Sequence, residues 1–286
     1  MVHVHAGVLS PFAYDGARIA LDHGLPTAIT WHCMLDGVVG PLRTLVRRTR
    51  WHRAPAALSA VSHAAAARVH EAFDTEVTVM PNGLDLDVWA PKSFSEGRGR
   101  PGEHGPLRLV STMRLAPRKR AVPLVELVGD AARRLPPDRL RLAIIGSGPA
   151  QGRVASAVAG QGLQHVVELR GRLTRPQVRA AYADADVFLA PAELEAFGIA
   201  ALEARTAGLA IVARRGTGIA EFVQDGVDGL LVADDAEMTE AVVQLARDGR
   251  LLEGMLTHNR AVRPAFGWDD VLGSAESEYA RARALV

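Results

Sequence analysis

The stretch APAELEAFGIAALEARTAGLAIVA, residues 190–213, contains the end of an apolar strand, a short polar turn, a helix and a second apolar strand. That order is the repeating unit of a parallel α/β sheet. Two acids, Glu195 and Glu203, lie inside this largely apolar run. A buried carboxylate costs free energy unless a cation or a hydrogen-bond donor satisfies it, so each acid needs a partner.

Glu195 lies just before a helix start, at the carboxyl end of the strand predicted at 186–190. Open α/β sheets bind ligands at that edge, and the unpaired amides of a helix N-terminus attract anions. For Glu203 the residues allow two interpretations. It contacts a ligand, or it is an ordinary helix charge that is solvated or paired with Arg205 or Arg214. The remaining motifs favour the ligand contact.

The same alternation of strands and helices extends along the whole chain and predicts an α/β fold with two Rossmann-like domains. In the first part we expect strands at 1–5, 27–31, 57–60 and 77–80, with helices at 11–24, 38–50 and 63–73. In the second part we expect strands at 107–112, 141–145, 166–169, 186–190, 209–213 and 229–232.

These elements predict four segments. They are a first domain at 1–92, a Gly-, Pro- and charge-rich linker at 93–106, a second domain at 107–263, and a terminal helix at 264–286 that packs back on the first domain. The second domain has the six strands of a doubly wound nucleotide-binding domain. The first has about four and starts directly on a strand, so we expect it to be incomplete.

Composition narrows the class of protein. The chain has 286 residues, of which 48% are hydrophobic and 23% charged, and its net charge of +1 argues against a general nucleic-acid binder. A single cysteine, Cys33, excludes an intrachain disulfide and a cysteine-rich zinc site. The start MVHVHAGVLS lacks the pattern of a signal peptide, and no apolar run has transmembrane length. We therefore expect a cytoplasmic protein.

A second motif, STMRLAPRKRAVPLVELV at 111–128, places Arg114 and Lys119 on either side of a strand-to-helix turn. Basic side chains at a helix start are often a solvated face. However, the helix dipole opposes cations there unless an anion lies between them. A diphosphate is such an anion, and two cations could neutralise it in place of a metal ion. We therefore expect no metal cofactor.

Three segments together resemble the family-4 retaining glycosyltransferases of the GT-B fold. They are MRLAPRKR, EAFGIAALEA with its two glutamates, and GTGIAEFVQDGVDGLLV with Gly218 and Glu221. IIGSGP, ADADVFLAPAELEAFG and VTVMPNGLDLDVW add to the match, which covers nearly the whole chain. The resemblance implies a GT-B enzyme that moves a sugar, with retention, from a UDP-, GDP- or similar nucleotide sugar to a glycan, lipid or small-molecule acceptor.

The resemblance also implies site residues. Arg114 and Lys119 bind the donor diphosphate, Glu195 accepts hydrogen bonds from the donor sugar, and Glu203 accepts them from the ribose. The remaining implied donor contacts are the backbone near Phe197, Gly198 and Ile199, together with Leu173 in RGRLT and Gly146 in IIGSGP.

The first-domain segment VHVHAGVLSPFA resembles the family strand whose histidine reaches the donor sugar. His5 fits that role better than His3, and His32 in TWHC fits it least; the alternative is a structural role for all three. Because residues two apart on a strand share a face, we also considered a metal at His3, His5 and His32, but a fourth ligand is lacking.

Some residues depart from the family pattern. Met113 and Arg120 stand where the family usually has glycine, and its glycine-rich N-terminal loop is not in this sequence. We therefore also consider a non-catalytic nucleotide-sugar-binding fragment.

A third possibility is an NAD-dependent oxidoreductase. Gly146, Gly148 and Gly152 follow a strand, and Glu168 lies further along, which imitates a dinucleotide fingerprint. The glycine spacing differs from that of the fingerprint, and the strand is the second of its domain.

Residues 41–55, PLRTLVRRTRWHRAP, alternate arginines with leucines, a valine and a tryptophan. Such a basic amphipathic segment is typical of peripheral contact with anionic lipid, here at the inner face of the membrane. A solvated helix is the commoner origin of such a pattern, and it stays the alternative.

Overall fold

The chain folds into two separate parallel β-sheets, as a computed structural model describes for residues 1–91 and 105–286. The first sheet contains, in spatial order, β1 (Val2–Ala6), β2 (Thr27–Trp31), β3 (Ala56–Ala60) and β4 (Val77–Val79). The strands of the second sheet are β5 (Leu107–Thr112), β6 (Leu140–Ile145), β7 (Val167–Gly171), β8 (Val187–Ala190), β9 (Ala210–Arg214) and β10 (Gly229–Val232). The predicted α/β class is confirmed. The predicted linker, 93–106, lies outside the described residues except for its last two.

Helices connect the strands and cover the sheets. In the first part they are α1 (Pro11–Asp22), α2 (Val39–Thr49), α3 (His63–Phe73) and the short α4 (Leu86–Trp89), which the sequence pattern did not predict. In the second part they are α5 (Ala121–Arg133), α6 (Gln151–Gly160), α7 (Arg175–Ala183), α8 (Ile199–Thr206), α9 (Asp235–Arg247), α10 (Gly249–Ala261) and α11 (Trp268–Ala284). Local sequence sets several helix starts: the Ser62 hydroxyl accepts from the Ala65 amide at 3.1 Å, and Asp234 caps α9 in the same way.

The second sheet determines where a ligand can bind. Its strand order is β10-β9-β8-β5-β6-β7, so β5 and β8, which are distant in sequence, are neighbours. The connections from these two strands leave in opposite directions, which opens a crevice at their carboxyl ends. Leucine, isoleucine and valine side chains on both faces of the sheet are buried, as a parallel sheet covered by helices requires.

The last helix, α11, returns to the first sheet and packs against β2 and β3. Small residues make the close approach possible, because Ala28 and Ala57 on the strands contact Ala282 on the helix. The Thr78 hydroxyl on β4 donates to Glu278 at 2.8 Å, which satisfies a buried carboxylate. The first strand and the last helix therefore belong to the same part of the molecule.

The basic segment 41–55 lies on α2 and on a 3₁₀ turn at Trp51–Arg53. Val46 is buried and Arg43 and Arg48 are exposed, as an amphipathic helix requires, but Leu45 of the predicted apolar face is exposed as well. Within residues 1–91 and 105–286, no helix combines the length and the apolar character needed to cross a bilayer.

Candidate functional site

A cavity of about 400 Å³ lies between the two sheets, at the carboxyl ends of β5 and β8. The first part contributes His32, Val61 and Asn82 to its wall. The second part contributes the residues that follow β5 and β8 and the first turn of α8. The crevice predicted by the strand order therefore faces residues that follow the strands of the first sheet.

Lys119 and Glu195 meet inside this cavity. Lys119 ends a 3₁₀ turn after β5, and Glu195 lies on the loop after β8, so the neighbouring positions of these strands bring them together. The Lys119 ammonium forms an ion pair with the Glu195 carboxylate, and about a fifth of each side chain is exposed. The pair is thus reachable from the cavity, and each of its two charged groups can instead contact a ligand.

Arg114 lines the same cavity but stays exposed. No carboxylate among the described residues pairs with its guanidinium. An anion in the cavity would therefore have two cations within the cavity wall, one paired with a carboxylate and one not. Arg114 has no carboxylate partner in the described parts of the chain, and Lys119 has a carboxylate that it can release.

The start of α8 forms another side of the cavity. Gly198 has φ of +91°, and a Cβ there would lie 2.5 Å from Ile219 Cγ1, so only glycine fits. The Phe197 ring packs in a cluster with Phe222 and Phe266. The predicted contacts at Phe197, Gly198 and Ile199 can therefore come from the backbone, whose amides begin the helix.

Glu203 lies one turn further along α8 than Ile199, so the two side chains share a helix face. It does not line the cavity. The expected ion-pair partners are engaged elsewhere, because Arg205 pairs with Asp228 and Arg214 with Asp235. Among the described residues Glu203 makes no hydrogen bond or ion pair, although it is half-buried. The carboxylate oxygens are therefore open to hydrogen-bond donors from solvent or from a ligand.

Burial raises the pKa of Glu203 from 4.5 to about 7, against the opposing effect of the nearby Arg175. The folded chain therefore binds this proton more tightly than the unfolded chain. We expect the stabilisation from protonated Glu203 to be complete below about pH 4.5 and to be lost as the pH rises through about 7. Denaturant unfolding of wild type and Glu203→Gln across this range tests it, since only the wild type should lose this contribution. A constant difference between the two would contradict the prediction.

Two predicted donor contacts lie away from the cavity wall. Leu173 packs on the core beside α7. Gly146 has φ of +132°, its amide donates to the Gly171 carbonyl at 2.7 Å, and a Cβ would lie 1.9 Å from the Met113 carbonyl oxygen. Its amide already has a partner and is therefore not available to a nucleotide sugar. Glycine is needed at this position because a side chain would clash with the neighbouring backbone. The donor contacts of both residues stay predictions.

Close packing of the backbone also explains why the glycines after β6 resemble a dinucleotide fingerprint. A Cβ on Gly148 would lie 2.5 Å from the Leu115 carbonyl oxygen, while Gly152 lies in α6 with open space around it. The Gly-x-Gly pair lets the loop after β6 lie against the loop after β5. A bound dinucleotide is not needed to account for it.

The histidines are arranged differently from the expectation. His32, ranked last, lines the cavity, whereas His5 lies behind it with its Nδ1 2.8 Å from His32 Nε2. The reason is the strand order, since β1 is the edge strand and β2 its neighbour. His3 is engaged by the Thr30 and Tyr279 hydroxyls. A contact between His5 and a sugar stays a prediction. In the part of the chain that is described, no three His, Cys, Asp or Glu side chains are placed to hold a metal ion.

One contact between the two parts was not foreseen. Glu221 Oε1 accepts from the His63 amide at 2.8 Å, and its Oε2 lies 2.6 Å from the His63 ring nitrogen Nδ1. His63 is the first residue of α3, so the carboxylate also meets the positive end of a helix. This contact joins the two parts of the chain close in sequence to Val61 and Ile219, which line the cavity.

The comparisons with known proteins agree with this geometry. A family model described as "Glycosyl transferases group 1" matches residues 106–248, and one described as "Glycosyltransferase Family 4" matches residues 1–88. The solved structure of Anabaena Alr3699/HepE in complex with UDP has a TM-score of 0.78 at 20% identity. The match covers 97% of this chain and 79% of that one.

The match to curated relatives covers a smaller share of their length than the match to the solved structure covers of that chain. A phosphatidylinositol N-acetylglucosaminyltransferase polypeptide of Arabidopsis thaliana is 30% identical over 72% of this chain and 44% of its own. The D-inositol 3-phosphate glycosyltransferase of Xylanimonas cellulosilytica is 30% identical over a match that covers 75% of this chain and 54% of that enzyme. The chain thus spans about half the length of these relatives. Together with the family models and the two facing sheets, these similarities show that the chain belongs to the family-4, or group 1, glycosyltransferases of the GT-B fold.

Proposed function

We propose that this chain binds a nucleotide-diphosphate sugar in the cavity and transfers the sugar, with retention, to a hydroxyl of an acceptor. The observation that carries the proposal is the Lys119–Glu195 ion pair, which lines the same cavity as the exposed Arg114 and the start of α8. This arrangement offers cations to a diphosphate and a carboxylate to sugar hydroxyls within one cavity.

Donor binding would divide the ion pair between two new partners. Lys119 and Arg114 turn to the diphosphate, and Glu195 accepts hydrogen bonds from the sugar. A cation about 4 Å from a phosphate gains about 4 kcal/mol at an effective dielectric constant of 20, before desolvation. Two such contacts stabilise the leaving group as negative charge develops on it, and a positioned cation stabilises that charge without reorganising.

In the transfer step the bond between the anomeric carbon and the diphosphate oxygen breaks, and a bond to the acceptor oxygen forms. The acceptor proton passes to the departing phosphate oxygen, so both sides balance without a protein nucleophile. The transition state resembles an oxocarbenium ion. The free amides at the start of α8 and the two cations are the groups of this chain that favour charge separation.

The names of the two relatives suggest which acceptors to test first. One is named for phosphatidylinositol and the other for D-inositol 3-phosphate. We therefore propose a polyol hydroxyl, free or carried by a lipid, as the acceptor class. Membrane contact through the basic residues of 41–55 stays a prediction, and it would place α2 against anionic lipid if the acceptor is a lipid.

Calorimetric titration with UDP, GDP, ADP, their glucose or mannose conjugates, and NAD tests the proposal. We expect one nucleotide diphosphate to bind, its sugar conjugate to be consumed when inositol 3-phosphate or another polyol is present, and NAD not to bind. Binding without consumption would favour a non-catalytic nucleotide-sugar binder instead. Binding of NAD alone would favour an oxidoreductase and contradict the proposal.

The raised pKa of Glu203 predicts how binding depends on pH. Only the ionised carboxylate can accept hydrogen bonds from both ribose hydroxyls, so affinity for the bound nucleotide should rise as the pH passes through about 7. Glu203→Gln should bind more weakly than wild type at about pH 8 and show a flatter profile. Titrations over this range in buffers of two ionisation enthalpies measure both affinity and proton release. The same slope in both proteins would rule out Glu203 as the ribose acceptor.

A further inference from the structure

Arg120 combines a strained backbone with an engaged side chain. It lies directly after Lys119, between the 3₁₀ turn at Pro117–Lys119 and α5, with φ of +60° and ψ of 35°. Residues other than glycine adopt this left-handed conformation at a cost, and surrounding contacts must hold them there. Only a minority of its side-chain surface is exposed.

Those contacts join three loops at the carboxyl edge of the second sheet. Arg120 Nη1 pairs with Glu193 Oε1 at 2.9 Å, on the loop after β8, and Arg120 Nη2 donates to Asp235 Oδ2 at 2.5 Å, at the start of α9. Asp235 also pairs with Arg214, the last residue of β9, whose side chain is almost completely buried. Two guanidinium groups and two carboxylates thus form a neutral network.

The network links the same two loops as the ion pair between Lys119 and Glu195 in the cavity. Lys119 pairs with Glu195, and the residues next to and near them, Arg120 and Glu193, pair with each other. The loop after β5 and the loop after β8 are therefore joined twice. If Lys119 releases Glu195 to hold a diphosphate, the pair of Arg120 with Glu193 still joins the two loops.

We propose that Arg120 is a positioning residue that keeps Lys119 at the correct distance from Glu195 after the donor has separated them. This inference rests on the proposed function, because it assumes that a diphosphate takes the place of Glu195 on Lys119. Arg120 acts through Glu193 and Asp235 rather than by contact with the donor, since both guanidinium ends are occupied and the side chain does not line the cavity.

Three variants separate this role from its alternatives. Arg120→Gly removes the side chain but accepts the left-handed backbone, so it isolates the loss of the network. Glu193→Gln weakens the link while Arg120 stays in place. Arg134→Ala is the matched control: it removes an arginine from the exposed pair with Glu240, between the same helices α5 and α9 but away from the cavity.

The probes are UDP, GDP and ADP, compared with UMP, GMP and AMP, by calorimetric titration. For the base that binds wild type, we expect Arg120→Gly to weaken the diphosphate about tenfold, which corresponds to about 1.4 kcal/mol, and to leave the monophosphate unchanged. Glu193→Gln should weaken the diphosphate about fivefold, and Arg134→Ala should change neither affinity. Thermal unfolding of the three variants shows whether they are folded.

Each remaining outcome overturns the inference. Unchanged diphosphate affinity in Arg120→Gly, or equal losses for diphosphate and monophosphate, would leave the network a purely structural role. Tighter diphosphate binding in Glu193→Gln would show that Arg120 contacts the phosphate directly. If wild type binds no nucleotide of the series, the proposed function fails together with this inference, whereas the other outcomes leave the proposed function intact.

Discussion

Replacing Lys119 with alanine should lower the turnover of the nucleotide sugar about 100- to 1,000-fold, the range found when one preorganised charge-stabilising donor is lost. The affinity for the free nucleoside should change little, because the proposed contact of this ammonium is with the diphosphate, which the nucleoside lacks. Since Lys119 pairs with Glu195, the variant also leaves that carboxylate without its cation. Initial rates of donor consumption and calorimetric titration of the nucleoside measure the two effects.

Arg118→Ala is the matched control for this result. Arg118 is an exposed cation on the same 3₁₀ turn, yet it does not line the cavity. Its loss should change turnover less than about threefold, as expected for a solvated charge. Equal losses in the two variants would indicate a general effect of positive potential. Full turnover in Lys119→Ala would remove the proposed role of this residue at the diphosphate.

Replacing Asp228 with alanine should reduce the free energy of unfolding by about 3–5 kcal/mol, because it leaves a buried arginine without its counter-charge. Asp228 Oδ1 accepts from Arg205 Nη2 at 2.5 Å and from Arg205 Nε at 3.0 Å, and its Oδ2 accepts from the Gln224 amide at 2.7 Å. Both side chains are more than nine-tenths buried. At about 2–4 °C per kcal/mol, the unfolding temperature of the part that contains the second sheet should fall by about 10 °C.

Differential scanning calorimetry tests this prediction without any ligand. Glu240→Ala serves as the control, since it removes one carboxylate from the exposed pair with Arg134. That change should leave the free energy of unfolding almost unchanged, because solvent screens this exposed pair. Similar losses in the two variants would mean that burial of the Arg205–Asp228 pair does not set its contribution to stability.

The main parts of the proposed donor site were visible in the sequence because they depend on local order along the chain. Lys119 follows β5 by a fixed short interval, and Glu195 follows β8 in the same way, so the rule that ligands bind at strand carboxyl ends places both at one edge. Gly198 was named from the resemblance to the family, and the structure adds a reason for glycine at this position, a φ of +91° beside Ile219. The resemblance to a family then assigned roles to these positions, and the turnover and binding of the variants test those roles.

The sequence could not show which residues face each other across the two sheets. His5 was preferred to His32 from its motif, yet His32 lies on the cavity wall because β2, not β1, is the inner strand. Asp228 belongs to no motif that points to a partner, yet it pairs with Arg205, a residue 23 positions earlier. The contact between His63 and Glu221 joins residues 158 positions apart. None of these pairs has a local pattern, because their spacing along the chain is arbitrary.

By itself, therefore, the sequence determined the α/β class, the order of the strands along the chain and the chemical groups that follow them. Those properties arise from hydrophobic periodicity and turn residues, which act over a few positions. Only the tertiary structure decided which carboxylate each cation meets, which histidine faces the cavity and why arginine is tolerated at position 120. The physical reason is that ion pairs, burial and the walls of a cavity depend on distances in space, and those are set when the two sheets pack and the final helix closes onto the first.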